Sequence, residues 1–470
     1  MASQAIHFGT SGWRGVIGSD FTFPGVRRAA TAIAGYMSSR KKTPTILVGY
    51  DTRFFSEEFA RASAQVLDAH GCQVLFCRAA TPTPAIAYEI LRRKLDGGLN
   101  ITASHNPADY NGLKFSGPDA GPALPEVTKE IEARAAALAR EDFEANELAD
   151  RNEFVSVDLR DNYLARLVEL VHFDALRAAK VSFTCDALHG CGGGWLDKLL
   201  TDQGVAVTAI RVTRDVLFDG SGPDPSEENL APLRKIVLEK KASAGLGTDG
   251  DADRFGILDS DGGFISPNHI LGLLFDYLIQ ARGWKLGASR SVATSHLVDA
   301  VARLHGVALY ETPVGFKYVG EFIREDKIVI GGEESAGLTI RSHVPEKDGI
   351  LACLLVAEMI ATRRSSLAEQ LRDLFGRVGG GYWPIRVNIH VTDNTQASLR
   401  KRLAEEVQQF AGRRVVKTVR IDGCKFFFDD GAWLLMRPSG TEPVVRIYAE
   451  AASLADSRQL AEEARKWINQ

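Results

Sequence analysis

The stretch TILVGYDTRFFSEEFARASAQVLDAHGCQVLFC, residues 45–77, decides the fold. It opens on the apolar, β-branched run TILVGYD and closes on a second such run, QVLFC. Between them, SEEFARASAQVLDAHG has apolar residues at helical spacing, with Ser56 placed to cap the helix and Gly71 to stop it. Two strands joined by a helix cannot form a tight hairpin. They pair in parallel, and the helix covers one face of the sheet.

Outward from this unit the rhythm continues. PAIAYEILRRK (84–94) reads as a helix and GGLNITAS (97–104) as a buried strand. Further strands are expected at VSFTCDALHG (181–190), VAVTAIRV (205–212), SVATSHL (291–297), ALYETP (308–313) and KIVIGG (327–332). The pattern restarts near 155 and near 260, so three α/β domains with mixed or parallel sheets are expected. After RRSSLAEQLRDLFGRVGGGYWP (363–384) the character changes. RVNIHVTD, RVVKTVRID, CKFFF, AWLLM and VVRIYAEA are strands, with Asp429-Asp430-Gly431 as a hairpin turn. Helices at about 395–411 and 453–468 complete a smaller C-terminal α+β domain. The expected boundaries are 1–150, 151–258, 259–378 and 379–470, four domains around a central cleft.

Composition bounds the function. The chain has 470 residues, 45% hydrophobic and 25% charged, and a formal net charge of −4. That balance gives no global attraction for nucleic acid or anionic lipid, so any anion site must be local. No secretory signal and no membrane-spanning run are read from the sequence. The six cysteines are sparse and never spaced C-x-x-C, which argues against a disulfide scaffold or a cysteine zinc site. They are expected to be reduced, buried thiols in a cytoplasmic protein. Oligomeric state is not legible.

Five segments carry candidate chemistry. Thr102-Ala103-Ser104-His105-Asn106-Pro107 follows a buried strand, where parallel sheets open onto ligand crevices, so Ser104 is either a presented hydroxyl or part of a polar turn. Asp249-Gly250-Asp251-Ala252-Asp253-Arg254 places carboxylates at i, i+2 and i+4, able to converge on a hard cation such as Mg²⁺ or Ca²⁺. It is not an EF-hand, which needs Gly and Glu where Arg254 and Ser260 stand. Gly245, Gly247 and Gly250 match G-x-G-x-x-G, but Asp249 would repel a pyrophosphate, and a strand rather than a helix follows. Gly331-Gly332-Glu333-Glu334-Ser335-Ala336-Gly337 offers acceptors and a hydroxyl suited to a sugar, or the acidic start of a helix. Gly315-Phe316-Lys317 is expected in a loop, its lysine available to a phosphate or simply at the surface. Arg437-Pro438-Ser439-Gly440-Thr441-Glu442 joins two strands and can wrap a dianionic phosphate, or be a polar hairpin.

Taken together, these segments resemble the α-D-phosphohexomutase superfamily, most nearly its phosphoglucomutases. The resemblance spans the chain: FGTSGWRG (8–15), VGYDTRFFSEEFA (48–60), TASHNPADYNGLKF (102–115), DGDADR (249–254), TPVGFK (312–317), GGEESAG (331–337), PEKDG (345–349) and RPSGTEP (437–443). It implies three related α/β domains and a smaller fourth. It also implies a phosphate carried by Ser104, with Mg²⁺ held by Ser104, Asp249, Asp251 and Asp253. Arg14 and Arg254 would stabilise the moving phosphoryl group. Lys114, ahead of His105, would handle the proton. Glu333 and Ser335 would grip sugar hydroxyls. Gly315, Lys317, Arg437, Ser439, Gly440 and Thr441 would hold substrate, chiefly the phosphate that stays in place. Small sugar phosphates are the implied partners and a hexose 1,6-bisphosphate the implied activator. The implied activity interconverts glucose 1-phosphate and glucose 6-phosphate. Phosphomannomutase and phosphoglucosamine mutase are the alternatives within the class, a metal-dependent sugar phosphatase outside it. Phosphomannomutase/phosphoglucomutases more often show Gly-Glu-Met-Ser where this chain has Gly332-Glu333-Glu334-Ser335, and phosphoglucosamine mutases Gly-Glu-Gln-Ser.

Overall fold

In the computed structural model, strand Thr45–Tyr50, helix Ser56–Ala69 and strand Gln73–Cys77 form the expected unit, the two strands parallel with Ile46 opposite Val74. The structure describes residues 5–138, 154–438 and 444–469. Ser56 opens the helix but does not cap it. Phe55 holds the cap position, and the Ser56 hydroxyl turns back to Asp51 Oδ1 at 2.6 Å.

The chain divides into two compact units. The first comprises Met1–Pro267 and Gly315–Ala368; the second comprises Asn268–Val314 and Glu369–Gln470. The first unit holds a six-stranded mixed sheet ordered Trp13–Val16, Tyr110–Ser116, Gly97–Ile101, Thr45–Tyr50, Gln73–Cys77, Val155–Val157. Its last strand comes from the segment expected to open the next domain and lies parallel to Gln73–Cys77. A second, five-stranded sheet in this unit runs Phe264–Ile265, Phe255–Asp259, Ala244–Thr248, Ser182–Asp186, Ala206–Ile210. Strand Ile328–Glu333 pairs antiparallel with Gly337–Ile340, so the acidic segment is the tip of a hairpin and not a helix start.

One helix of this unit matters for the site. Gly349–Arg363 is buried from Gly349 to Ala361 and, apart from Glu358, apolar on every side there, as a helix enclosed by its neighbours must be. Asp348 caps it through Leu351 N at 2.8 Å, a bond worth about 1 kcal/mol. Asp348 also accepts the Tyr163 hydroxyl and meets His343 Nε2 at 2.7 Å, so the segment leading into the helix is fixed.

In the second unit, strand Gly287–Ser291 pairs in parallel with Leu309–Thr312. It replaces the strand expected at SVATSHL, most of which is a turn closed by Thr294 N on Ser291 O. The true strand, GASRS, was hidden by its polarity. All five of its residues are buried, because Asp299 and Glu311 pair the Arg290 guanidinium. The C-terminal part forms a six-stranded antiparallel sheet ordered Trp383–His390, Val444–Ala451, Trp433–Pro438, Cys424–Phe428, Arg413–Val419, Gln409–Phe410. Helix Leu454–Ile468 starts where expected, on Ser453, whose hydroxyl takes Asp456 N. The preceding helix is shorter than expected, Asp393–Ala404: Arg420 takes the Leu403 and Glu405 carbonyls, and Glu405 turns extended. All six cysteines are free and buried. No helix among the described residues is long and apolar enough to cross a membrane.

Candidate active site

Ser104 stands three residues past strand Gly97–Ile101 with φ +53°, a left-handed conformation uncommon for serine. Thr102 Oγ1 steadies it by accepting Ser104 N at 2.8 Å. Its hydroxyl is buried and donates to Asp249 Oδ2 at 2.6 Å, while His105 Nδ1 lies 3.3 Å away. Asp249 begins the turn between antiparallel strands Ala244–Thr248 and Phe255–Asp259. A Cβ on Gly250 would lie 2.5 Å from Ser104 O, so only glycine lets this turn touch the serine loop.

Asp249, Asp251 and Asp253 are all buried, and each brings an oxygen within 4.8 Å of the others. At an effective dielectric near 20, each such pair repels by about 3–4 kcal/mol. Two lysines offset part of this. Lys114, on strand Tyr110–Ser116, donates to Asp251 Oδ2 at 2.6 Å and Asp253 Oδ2 at 2.7 Å. Lys347 reaches Asp253 Oδ2 at 3.1 Å and Glu346 at 2.8 Å. Burial would raise the Asp253 carboxyl, but Lys114, Lys347 and Arg254 outweigh it and hold it well below the usual range. For Asp249, burial and its two acidic neighbours outweigh Arg254 and the Ser104 hydroxyl and push it well up. Burial works against the Lys114 ammonium, yet Asp251 and Asp253 hold its pKa above the ordinary value.

The donor set fits a hard divalent cation. Asp251 Oδ1 and Asp253 Oδ1 are buried without a hydrogen-bond partner, although each carboxylate's other oxygen is occupied. Unpaired buried carboxylate oxygens are costly, and Mg²⁺ takes oxygens of this kind. A second group, His189 with Asp215 and Asp219, is close enough to share an ion but differs in exposure. There Asp219 is open to water and His189 pairs with it directly at 3.0 Å.

Arg14 and Arg254 flank Ser104's loop. Arg14 donates to Asn106 Oδ1 at 2.6 Å, and Arg254 Nε is buried without a hydrogen-bond partner, 3.9 Å from Asp253 Oδ1. Burial and the charge of Arg254 lower the Arg14 pKa to about 10, a strain that an incoming dianion relieves. Burial, Arg254 and Arg14 likewise keep the His105 ring neutral.

Glu333 ends its strand and accepts Gly315 N at 2.7 Å, which joins the acidic hairpin to the segment at 315–317. Burial and Glu334 raise its carboxyl to about 7. Lys317 lies in the first turn of helix Phe316–Arg324, not in a loop, because Phe316, Val319, Gly320 and Ile323 form one buried face. The Lys317 side chain is half-buried, which lowers its pKa, and Ser335 is half-buried in the hairpin tip. Arg437 belongs to the second unit, where its Nε donates to Asp422 Oδ1 at 2.7 Å. Ser439, Gly440 and Thr441 lie outside the described residues.

Two contributors had no sequence signal of their own. Thr83 donates to Asp251 Oδ2 at 2.5 Å from 168 residues away. Lys347 sits within PEKDG, where nothing in the spacing marks it, and only the fold brings it to Asp253.

Comparisons with known proteins find one family along most of the chain. Family models described as phosphoglucomutase/phosphomannomutase α/β/α domains I, II and III match residues 5–142, 161–262 and 266–378. The C-terminal domain model of the same family matches 387–466. A phosphoglucomutase/phosphomannomutase of Thermococcus kodakarensis is 32% identical over 97% of this chain and 96% of its own. A probable phosphoglucosamine mutase of Methanothermobacter thermautotrophicus is 31% identical over 98% and 97%. The crystal structure of a putative phosphomannomutase from Thermus thermophilus superposes with TM-score 0.86 at 33% identity, covering both chains fully. Four domain matches in order, and relatives aligned end to end, leave one assignment: the chain belongs to the phosphoglucomutase/phosphomannomutase family of phosphohexomutases, isomerase-class enzymes that move phosphate within a hexose.

Proposed function

We propose that this phosphohexomutase is a phosphoglucomutase, interconverting glucose 1-phosphate and glucose 6-phosphate through phospho-Ser104 and glucose 1,6-bisphosphate. The observation that carries the reading is the Ser104 hydroxyl, 2.6 Å from one of three buried, converging carboxylates, two of which keep an oxygen without a hydrogen-bond partner. Residues 1–150 supply the phosphoserine loop, 151–258 the metal loop, 259–378 the sugar loop and 379–470 the phosphate loop.

Asp249, Asp251 and Asp253, with Ser104, would hold Mg²⁺, which when bound supplies charge neutralisation for the phosphoryl group. Arg14 and Arg254 face the same group and stabilise its charge as it moves; in phosphoryl transfer, such stabilisation does more to lower the barrier than any other effect. In the first half-reaction the Ser104 Oγ–P bond breaks as a bond forms between phosphorus and the sugar's free C1 or C6 hydroxyl oxygen. The hydroxyl proton is delivered, net, to Ser104 Oγ. Lys114, with neutral His105 beside Oγ, is assigned to carry it. The bisphosphate then presents its other end and the steps reverse. Lys317, Gly315, Arg437, Ser439, Gly440 and Thr441 hold the phosphate that is not being transferred. Added hexose 1,6-bisphosphate is therefore expected to activate the enzyme by rephosphorylating Ser104.

Glu333 and Ser335 are assigned to ring hydroxyls. Because the Glu333 carboxyl titrates near 7, it accepts hydroxyl hydrogens on both oxygens only above that pH. The kcat/KM for the sugar phosphate is expected to rise with pH through about 7. That limb should vanish in Glu333→Gln, while the limb from the substrate's own phosphate, with second pKa near 6, remains. Identical profiles for wild type and Glu333→Gln would remove Glu333 from this role.

The sugar itself is proposed from the Gly332-Glu333-Glu334-Ser335 loop. Glucose and mannose differ only at C2, so discrimination between them is expected to be small unless a buried group is left unpaired there. Kinetics with glucose, mannose and glucosamine phosphates, each primed with hexose bisphosphate, should rank glucose 1-phosphate first. A tenfold advantage for glucosamine phosphate, about 1.4 kcal/mol, would favour the phosphoglucosamine mutase reading, the name carried by the Methanothermobacter relative.

A further inference from the structure

Arg53 is fully buried, and its guanidinium donates to backbone carbonyls and not to the carboxylates of the metal turn. It follows strand Thr45–Tyr50, and its guanidinium serves four backbone carbonyls of one short segment. Nη2 donates to Ser104 O at 2.7 Å and Asn106 O at 2.6 Å. Nη1 donates to Pro107 O at 2.6 Å and Tyr110 O at 3.0 Å. Residues 104–110 thus wrap around a single planar cation. Asp51 lies 3.2 Å from its Nε, and the Phe218 ring stands 5.2 Å from its central carbon.

The base of this side chain is anchored as well. Arg53 N donates to Asp51 Oδ1 at 2.9 Å. Arg214 donates to Thr52 O at 2.9 Å and Arg53 O at 3.2 Å. One of the four carbonyls belongs to Ser104 itself, the residue held at φ +53°. That same carbonyl is the atom against which Gly250 of the metal turn packs.

We infer that Arg53 is a positioning residue: it holds the 104–110 loop so that Ser104 Oγ stays aligned with the Asp249 turn while the loop gains and loses a dianionic phosphate. The inference rests on Ser104 being the phosphate carrier. A guanidinium suits the task because its five donors lie in one rigid plane, and four are used here on carbonyls in fixed directions. A lysine keeps the charge but has three donors at one point, which cannot span the loop.

The test is Arg53→Lys, assayed with glucose 1-phosphate and glucose 1,6-bisphosphate beside wild type and Ser104→Ala. For a nucleophile displaced by about an ångström, kcat is expected to fall ~100-fold with KM within about threefold. The ³¹P resonance of phospho-Ser104 in the folded variant is expected to shift or broaden. A brace with no part in positioning would lower only the melting temperature; wild-type kcat and an unmoved ³¹P resonance in folded Arg53→Lys overturn the inference. Should Ser104→Ala remain active, the phosphoserine reading falls and the inference with it. An inactive Ser104→Ala beside a fully active Arg53→Lys overturns the role of Arg53 alone. If Arg53→Lys does not fold, exposed Arg214→Lys loosens the same anchor, with an expected kcat loss of about three- to tenfold. An unchanged kcat there overturns the inference too.

Discussion

Ser104→Ala is expected to lower mutase kcat by at least ~10⁴-fold, the scale seen when a covalent nucleophile is removed. The reason is the absence of a substitute. Ser104 is the hydroxyl donating to the metal turn, and its two neighbours in the loop are a neutral His105 and Asn106, which is already engaged by Arg14. The variant should fold, because removing the hydroxyl frees only Asp249 Oδ2 and His105 Nδ1, while the Arg53 and Thr102 bonds to the Ser104 backbone remain. Intact mass spectrometry of the wild type should show a fraction heavier by one phosphoryl group, mapped to Ser104, and none in the variant. Near-normal activity in Ser104→Ala would exclude the phosphoserine route.

Removal of divalent metal should be nearly as severe. After exhaustive chelation, activity is expected to fall to background and return with Mg²⁺. Asp251→Asn and Asp253→Asn should each lower kcat by roughly 10²–10³-fold and weaken Mg²⁺ binding, since each supplies a buried oxygen that has no hydrogen-bond partner. Asp249→Asn provides a sharper contrast. It removes one of three mutually repelling carboxylates, so the metal-free protein should melt no lower than wild type. The rise in melting temperature on adding Mg²⁺ should nonetheless shrink, because that rise follows the affinity of the folded state for the ion. Full activity after chelation, with an unchanged Mg²⁺-induced shift in all three variants, would remove the metal from this site.

How much of this was legible in the sequence depends on how local each signal is. The βαβ rhythm around 45–77 and the strands of the C-terminal sheet could be read because apolar period and turn residues act over a few positions. Strand Gly287–Ser291 was not legible: its buried Arg290 becomes tolerable only when Asp299 and Glu311 arrive from elsewhere in the chain. The helix expected to reach about 411 stops at Ala404 for a similar reason, since Arg420, sixteen residues beyond its end, takes the terminal carbonyls. Within the site, the three aspartates announced themselves by spacing. Of the groups that make their burial possible, Lys114 was legible through the family resemblance alone and Thr83 not at all. Lys114 lies 137 residues before Asp251 and Thr83 lies 168 before it, distances over which no pattern extends. Arg53 was similarly silent, because a buried arginine on four carbonyls looks in sequence like any loop arginine.

The first compact unit is discontinuous, broken after Pro267 and resumed at Gly315. On the ribosome, therefore, Asp249, Asp251 and Asp253 emerge well before Lys347, one of the two lysines that balance them. A nascent chain released at Pro267 would have both sheets of that unit but would lack the hairpin that carries Glu333 and the capped helix behind Lys347. Its metal turn would then keep Lys114 but lack Lys347, leaving part of its negative charge unbalanced. Folding of this site is consequently an event of late synthesis, and a stalled or truncated product should expose the acidic turn to proteases that spare the finished chain.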